Sequence, residues 1–167
     1  DPAGPTATVT LRYYNTHSGF NWRYTRYRDY VRVYVPEGSE LISSDGAMLS
    51  DITKTGGHVV AGKVDVMRDL GKTVFGTFWS IEPGETRELR FTYRLPLSVA
   101  EALQKSSYHL LVQKQPGARQ QLTLDLGFGK KLLSAEPSEE QKEFGDTTYR
   151  VSRPIEKDQL FQIKLLS

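Results

Sequence analysis

Residues 20–30 read Phe20-Asn21-Trp22-Arg23-Tyr24-Thr25-Arg26-Tyr27-Arg28-Asp29-Tyr30, so aromatic rings and guanidinium groups interleave along the stretch. Two kinds of recognition can use that mixture. Flat rings stack on sugar faces while Arg and Asn hydrogen-bond hydroxyls. Alternatively, guanidinium groups grip the phosphates or carboxylates of a cell-wall polymer in two-pronged geometry. The candidate binding residues are Trp22, Arg23, Tyr24, Arg26, Tyr27 and Arg28. The same residues also suit the wet face of a strand, where Tyr and Arg stack by cation–π contact and keep an edge from aggregating. Both readings stay open at this level.

Other chemistry is sparse. His17, His58 and His109 lack partners at metal-ligand spacing, and His109, beside Leu110 and Leu111, reads as a sheet-surface residue. There is no Gly-x-Ser-x-Gly elbow. Gly127-Phe128-Gly129-Lys130 lacks the spacing of a phosphate loop, and no helical pattern follows it. Asp45, Asp51, Asp65 and Asp69 are read in or near loops but form no Asp-x-Asp-x-Asp-Gly calcium loop. No carboxylate is read in an apolar setting that would raise its pKa for acid work. The expectation is a non-enzyme with no catalytic residues, no metal and no cofactor. The alternative is a glycan-acting hydrolase or transferase, in which two loop carboxylates meet across a cleft at about 5 to 9 Å.

These residues sit on a chain of 167 residues, 38% hydrophobic and 25% charged, which is ordinary for a folded domain. The net charge of +2 is too small to imply nucleic acid or an anionic membrane as partner. Charge is uneven, with Glu136, Glu139, Glu140, Glu143 and Asp146 set against Lys142 alone. The absence of cysteine excludes disulfides and thiolate chemistry. No apolar run approaches the roughly 20 residues needed to span a bilayer. Asp1-Pro2-Ala3-Gly4-Pro5 reads as a linker end, so the chain is expected to be a fragment of something longer.

Period-two alternation must position the candidates. Val9, Leu11 and Tyr13 oppose Thr8, Thr10, Arg12 and Tyr14; Val31, Val33 and Val35 oppose Tyr30, Arg32 and Tyr34; Leu89, Phe91, Tyr93 and Leu95 oppose Glu88, Arg90, Thr92 and Arg94. Leu122, Leu124 and Leu126 repeat the pattern, as do Phe161, Ile163 and Leu165. Residues 74–81 are apolar on both faces and read as a central strand. Turns are expected at Pro36-Glu37-Gly38-Ser39, Asp69-Leu70-Gly71-Lys72, Glu82-Pro83-Gly84-Glu85 and Gln115-Pro116-Gly117-Ala118. Ser98-Val99-Ala100-Glu101 has the capping-box form of a short helix, expected to bridge two sheets. Residues 43–62 and 136–146 read as irregular. The fold expected over residues 1–167 is therefore one all-β domain, an immunoglobulin-like antiparallel β-sandwich of roughly eight to eleven strands with one short helix. No internal repeat is visible.

Tyr27-Arg28-Asp29-Tyr30-Val31-Arg32-Val33-Tyr34-Val35-Pro36-Glu37-Gly38-Ser39-Glu40-Leu41 resembles a recurring segment of a family of uncharacterised bacterial envelope proteins. So do Gly71-Lys72-Thr73-Val74-Phe75-Gly76, the Pro83-Gly84-Glu85-Thr86 turn, and Tyr108-His109-Leu110-Leu111-Val112-Gln113-Lys114-Gln115-Pro116-Gly117. The family carries the domain of unknown function numbered four-zero-one-two, and this chain is similar to its carboxy-terminal β-rich part. The resemblance implies an extracytoplasmic, cell-surface location and a membrane-anchored parent; it implies no activity and no site residues. The function expected is a non-catalytic extracellular binding or structural module, its partner a cell-wall polymer or another envelope protein. Its oligomeric state stays open.

Overall fold

The computed structural model describes residues 4–23, 25–47 and 62–166. The fold is all-β: among the described residues there are eleven strands, every pairing antiparallel, and one short helix. It is organised as two compact units, Asp1–Pro96 and Leu97–Ser167, where the sequence shows no break. Each unit has its own apolar cluster. Alternation tells which side of a strand is dry, but not which core it dries against.

Unit 1 contains β1 (Thr6–Tyr14), β2 (Tyr27–Pro36), β3 (Glu40–Asp45), β4 (Asp65–Asp69), β5 (Lys72–Ile81) and β6 (Thr86–Arg94). One sheet has the order β1-β6-β3 and the other β2-β5-β4. The inward set of the first sheet (Val9, Leu11, Leu89, Phe91, Tyr93) packs with that of the second (Val31, Val35, Phe75, Trp79, Ile81). Phe75 lies 6.0 Å from Phe91 and 5.5 Å from Tyr93, ring centre to ring centre. This is a two-layer sandwich, and the central strand β5 is covered on both sides except at Lys72 and Phe78. The four expected turns form: Leu70 and Gly71 adopt positive φ in a two-residue hairpin between β4 and β5, and Gly38, Gly84 and Gly117 also take positive φ.

Unit 2 contains α1 (Leu97–Gln104), β7 (Ser107–Val112), β8 (Gln120–Gly127), β9 (Leu132–Glu136), β10 (Thr148–Ile155) and β11 (Gln159–Leu165). Its sheets are β7-β11-β9 and β10-β8. Tyr149, Phe161, Ile163 and Leu165 form its core, with Leu122, Leu124 and Leu126 against them. The helix begins at Leu97, directly after Pro96 and one residue before the Ser98 cap that the sequence suggests. In chain order α1 lies between β6 and β7, strands of two different sheets, and its Leu103 packs on the unit 2 core.

The winding is finer than the sequence discloses. In unit 1 the first strand pairs the last, the third flanks the last on its other side, and the second pairs the penultimate. Unit 2 repeats this nesting: β7-β11-β9 and β8-β10. Nested order resembles a jelly roll wound from one long hairpin more than the ABED/CFG order of an immunoglobulin domain. The fold class expected from sequence is present; the strand order within it differs. The repeat is one of topology, carried by pairings such as Thr6↔Arg94 that lie far apart in the chain.

Candidate functional site

The eleven-residue aromatic and Arg stretch does not act as one element. Residues from Tyr27 onward belong to β2, whereas residues 20–23 lie in the connection leading into it. Strand alternation then divides β2 itself. Val31, Val33 and Val35 face the core, so Tyr27 shares their side while Arg28, Tyr30, Arg32 and Tyr34 lie on the opposite face.

That opposite face is structural. Tyr30 and Tyr34 reach across the central strand β5, and their hydroxyls donate to Asp65 Oδ2 at 2.7 Å and Asp69 Oδ2 at 2.8 Å on β4. Tyr30 meets Phe78 edge-on at 5.1 Å, and the Arg32 guanidinium stands over its ring at 5.7 Å. The strand-face reading of Tyr and Arg holds for this half of the segment. Asp45, Asp65 and Asp69 are the end residues of β3 and β4, next to the connections, in keeping with a position in or near loops. Asp51, His58 and Tyr24 lie outside the described residues.

The other half builds a groove of about 410 Å³ at one end of the unit 1 sandwich. Its lining is Tyr13, Tyr14, Asn15, Thr16, His17, Arg23, Thr25, Arg26, Tyr27 and Ile81. Volumes of this order suit small ligands or a short stretch of polymer. Tyr13 and Tyr27 face each other from the two sheets, stacked at 6.4 Å with 23° between planes, and Tyr13 also meets Trp79 edge-on at 5.4 Å. Burial raises the pKa of both tyrosines above the ordinary phenol value, and the charge of Asp29 adds to it, so both remain neutral. A depression of about 310 Å³ adjoins the groove under Ser18, Gly19, Phe20 and Asn21.

Asn15 ties the groove together. Its side-chain amide donates to the Ile81 and Thr25 carbonyls at 3.3 and 3.5 Å, and its Oδ1 accepts the His17 N–H at 3.4 Å. Its main chain exchanges bonds with the β5–β6 turn: Asn15 N–H donates to Glu85 O at 3.0 Å, and Gly84 N–H donates to Asn15 O at 2.9 Å. Arg26 adds a half-buried ion pair, its Nε donating to Glu82 Oε1 at 2.6 Å. Arg26 is therefore engaged in holding the connection against the turn.

Trp22 and Arg23 are different. Trp22 is 89% exposed, and the Arg23 guanidinium sits over its ring at 5.1 Å. The Arg23 backbone is fixed by its N–H bond to Asn21 Oδ1 at 2.8 Å. No carboxylate partner for the Arg23 side chain occurs among the described residues. Of the candidate residues, Arg23, Arg26 and Tyr27 line the groove, Trp22 stands beside it through Arg23, and Arg28 points to the other face. Sequence reading missed Tyr13, Tyr14, Asn15 and His17. Asn15 follows an alternating strand, as turn-forming residues do, but its partners lie up to 70 positions away.

The expectation that no carboxylate has a raised pKa needs correction. Glu139 in unit 2 is 8% exposed, and its pKa is raised above the ordinary glutamate value, mainly by burial. It was hidden because residues 136–146 read as an irregular, acid-rich stretch. Among the described residues no group of three potential metal ligands exists, and no helix is long and apolar enough to cross a membrane.

No family model matches the chain, and neither the curated proteins nor the solved structures contain a match to it. The resemblance to the envelope-protein family rests on the quoted segments alone.

Proposed function

We propose that the chain is a non-catalytic binding module of the bacterial cell envelope, located outside the cytoplasm, and that it holds a wall polymer in the unit 1 groove. One observation carries the reading: Trp22 is held out in water with the Arg23 guanidinium on its ring, next to a tyrosine-lined groove. A bare indole offers a large flat apolar surface, and Arg23 supplies a fork of donors for hydroxyl, carboxylate or phosphate oxygens. The rest of the groove adds Tyr hydroxyls and the His17 ring, which are suited to hydrogen-bonding a hydrated polymer, on a frame that Asn15 holds. Hydrolysis of a glycoside uses two carboxylates flanking the bond. The described lining includes none, and the nearby Glu82 is paired with Arg26, which favours binding over catalysis.

Fluorescence tests this directly. The chain has two tryptophans, and Trp79 is 1% exposed, so a quench or shift on adding purified wall polysaccharide or wall fragments reports Trp22. In co-sedimentation with wall fragments, which needs no Trp22 signal, Trp22→Ala and Arg23→Ala are expected to weaken binding roughly tenfold or more, as truncation of an anchor does. Arg28→Ala, on the opposite face, should bind like the wild type. If no polymer binds, the chain is a spacer; if polymer binds and Trp22→Ala binds it equally well, the groove is not the site.

A further inference from the structure

The shared winding makes the two units comparable strand by strand, and one difference locates a surface. In unit 1 the penultimate strand β5 is flanked by β2 on one side and β4 on the other. In unit 2 the penultimate strand β10 pairs with β8 alone. The stretch that would correspond to β4 is the connection of residues 137–147, which precedes β10 as β4 precedes β5.

The free side of β10 follows from its ladder. Phe128 N–H donates to Thr147 O at 2.9 Å, so odd-numbered residues of β10 exchange bonds with β8. Thr148, Arg150, Ser152 and Pro154 turn their backbone groups the other way. Three of these positions are closed by the chain itself. Asp146 Oδ1 accepts the Thr148 N–H at 2.7 Å, and Glu139 Oε1 accepts the Arg150 N–H at 2.5 Å. Pro154 has no N–H to offer. The Arg150 guanidinium holds Asp146 Oδ2 at 2.8 Å and reaches Thr148 O at 3.4 Å. Burying Glu139 leaves its Oε2 without a partner, an unfavourable arrangement made for one main-chain bond. Ser152 is the exception: it is exposed, and no loop or side chain caps its N–H or C=O among the described residues.

We propose that the free edge of β10 is a strand-pairing surface for a second copy of this chain, closed by Glu139 and Asp146. An open strand edge is a template for another strand, and carboxylates and proline are the usual ways of blunting one. The occupant is argued from register. An antiparallel pair about a twofold axis at Ser152 sets Arg150 against the second copy's Pro154 and Arg153 against its Val151, so no like charges oppose. In that pair Ser152 exchanges both main-chain bonds with its own counterpart, and Arg150 N–H, once uncapped, finds the opposing Pro154 carbonyl.

Sedimentation of the full chain over a concentration series tests the closure. The double variant Glu139→Ala/Asp146→Ala is expected to self-associate at least about tenfold more tightly than wild type, because the twofold pair gains two symmetry-related Arg150 main-chain bonds. Adding Ser152→Pro, which removes the remaining donor without touching the β8 ladder, should return association to the wild-type level. A double variant that keeps its β-sheet circular dichroism and associates no more than wild type overturns the proposal. So does association that survives Ser152→Pro. If the double variant loses its sheet signal, Asp146→Ala decides: it uncovers Thr148 N–H and releases the Arg150 guanidinium at an exposed site while leaving the Glu139 cap in place. Increased association reversed by Ser152→Pro supports the proposal, and unchanged association overturns it.

Discussion

Gly76→Ala is a sharp test of the packing on the outer face of β5. A methyl group at Gly76 would lie 2.5 Å from Tyr30 Oη and 2.8 Å from Met67 Cε. Both obstacles are ends of flexible side chains, so they move, and Tyr30 cannot then keep its 2.7 Å bond to Asp65. A hydrogen bond to a charged group contributes about 1.5–3 kcal/mol when buried. Asp65 is 38% exposed at its side chain, so about 1–2 kcal/mol is the fitting value here. Crowding adds about 1 kcal/mol, while replacing glycine within a strand returns roughly 0.5–1 kcal/mol. The net expectation is a loss of about 1–2 kcal/mol, read by urea unfolding at neutral pH.

The same substitution has an electrostatic signature. Asp65 sits below the usual carboxylate pKa, chiefly because Tyr30 donates to it and then because Lys63 does. A depressed carboxylate pKa contributes stability that is present above the ordinary value and lost as pH falls through the lowered one. The gap between wild type and Gly76→Ala should therefore narrow in acid, and the Asp65 titration followed by NMR should move up. In a Tyr30→Phe background the bond is already gone while Met67 Cε and the ring Cζ still crowd the methyl, so Gly76→Ala should cost no more than about 0.5 kcal/mol. A Gly76→Ala variant as stable as wild type, with Asp65 titrating unchanged, would refute the reasoning.

A chain ending at Lys157 lacks β11, the central strand of its sheet, and with it the buried Phe161, Ile163 and Leu165; unit 2 should lose its dispersed NMR spectrum while unit 1 retains its own. Retention of unit 2 signals would contradict that core. Glu139 has a raised pKa, so its contribution is present below the ordinary glutamate value and lost as pH rises through the raised one. Urea midpoints of wild type should decline over that window, and Glu139→Gln should flatten the decline. Arg26→Ala removes the half-buried partner of Glu82 and should cost about 1–3 kcal/mol, whereas Trp22→Ala should stay within about 0.5 kcal/mol of wild type; equal effects in denaturant titrations would reverse the roles assigned to them.

Local chemistry alone determines much of this protein. Alternation places Val9, Leu11, Phe91 and Phe161 inward, Pro and Gly mark the turns, and the all-β class follows, because side-chain direction in a strand depends only on the parity of position. Pairing does not depend on parity. Which strand lies beside which is settled by contacts as distant as Thr6↔Arg94, and no local pattern encodes the partner. The nested winding, its repetition in unit 2 and the division at Pro96 therefore emerge only in three dimensions. The candidate site divides in the same way. The residue types of the 20–30 segment were legible, but the chain has to fold before Tyr27 turns toward Tyr13 while Tyr30 turns toward Asp65. Glu139 is the clearest case: in the sequence it is one acid in a polar run, and only the uncovered edge of β10 gives its carboxylate a main-chain N–H to cap.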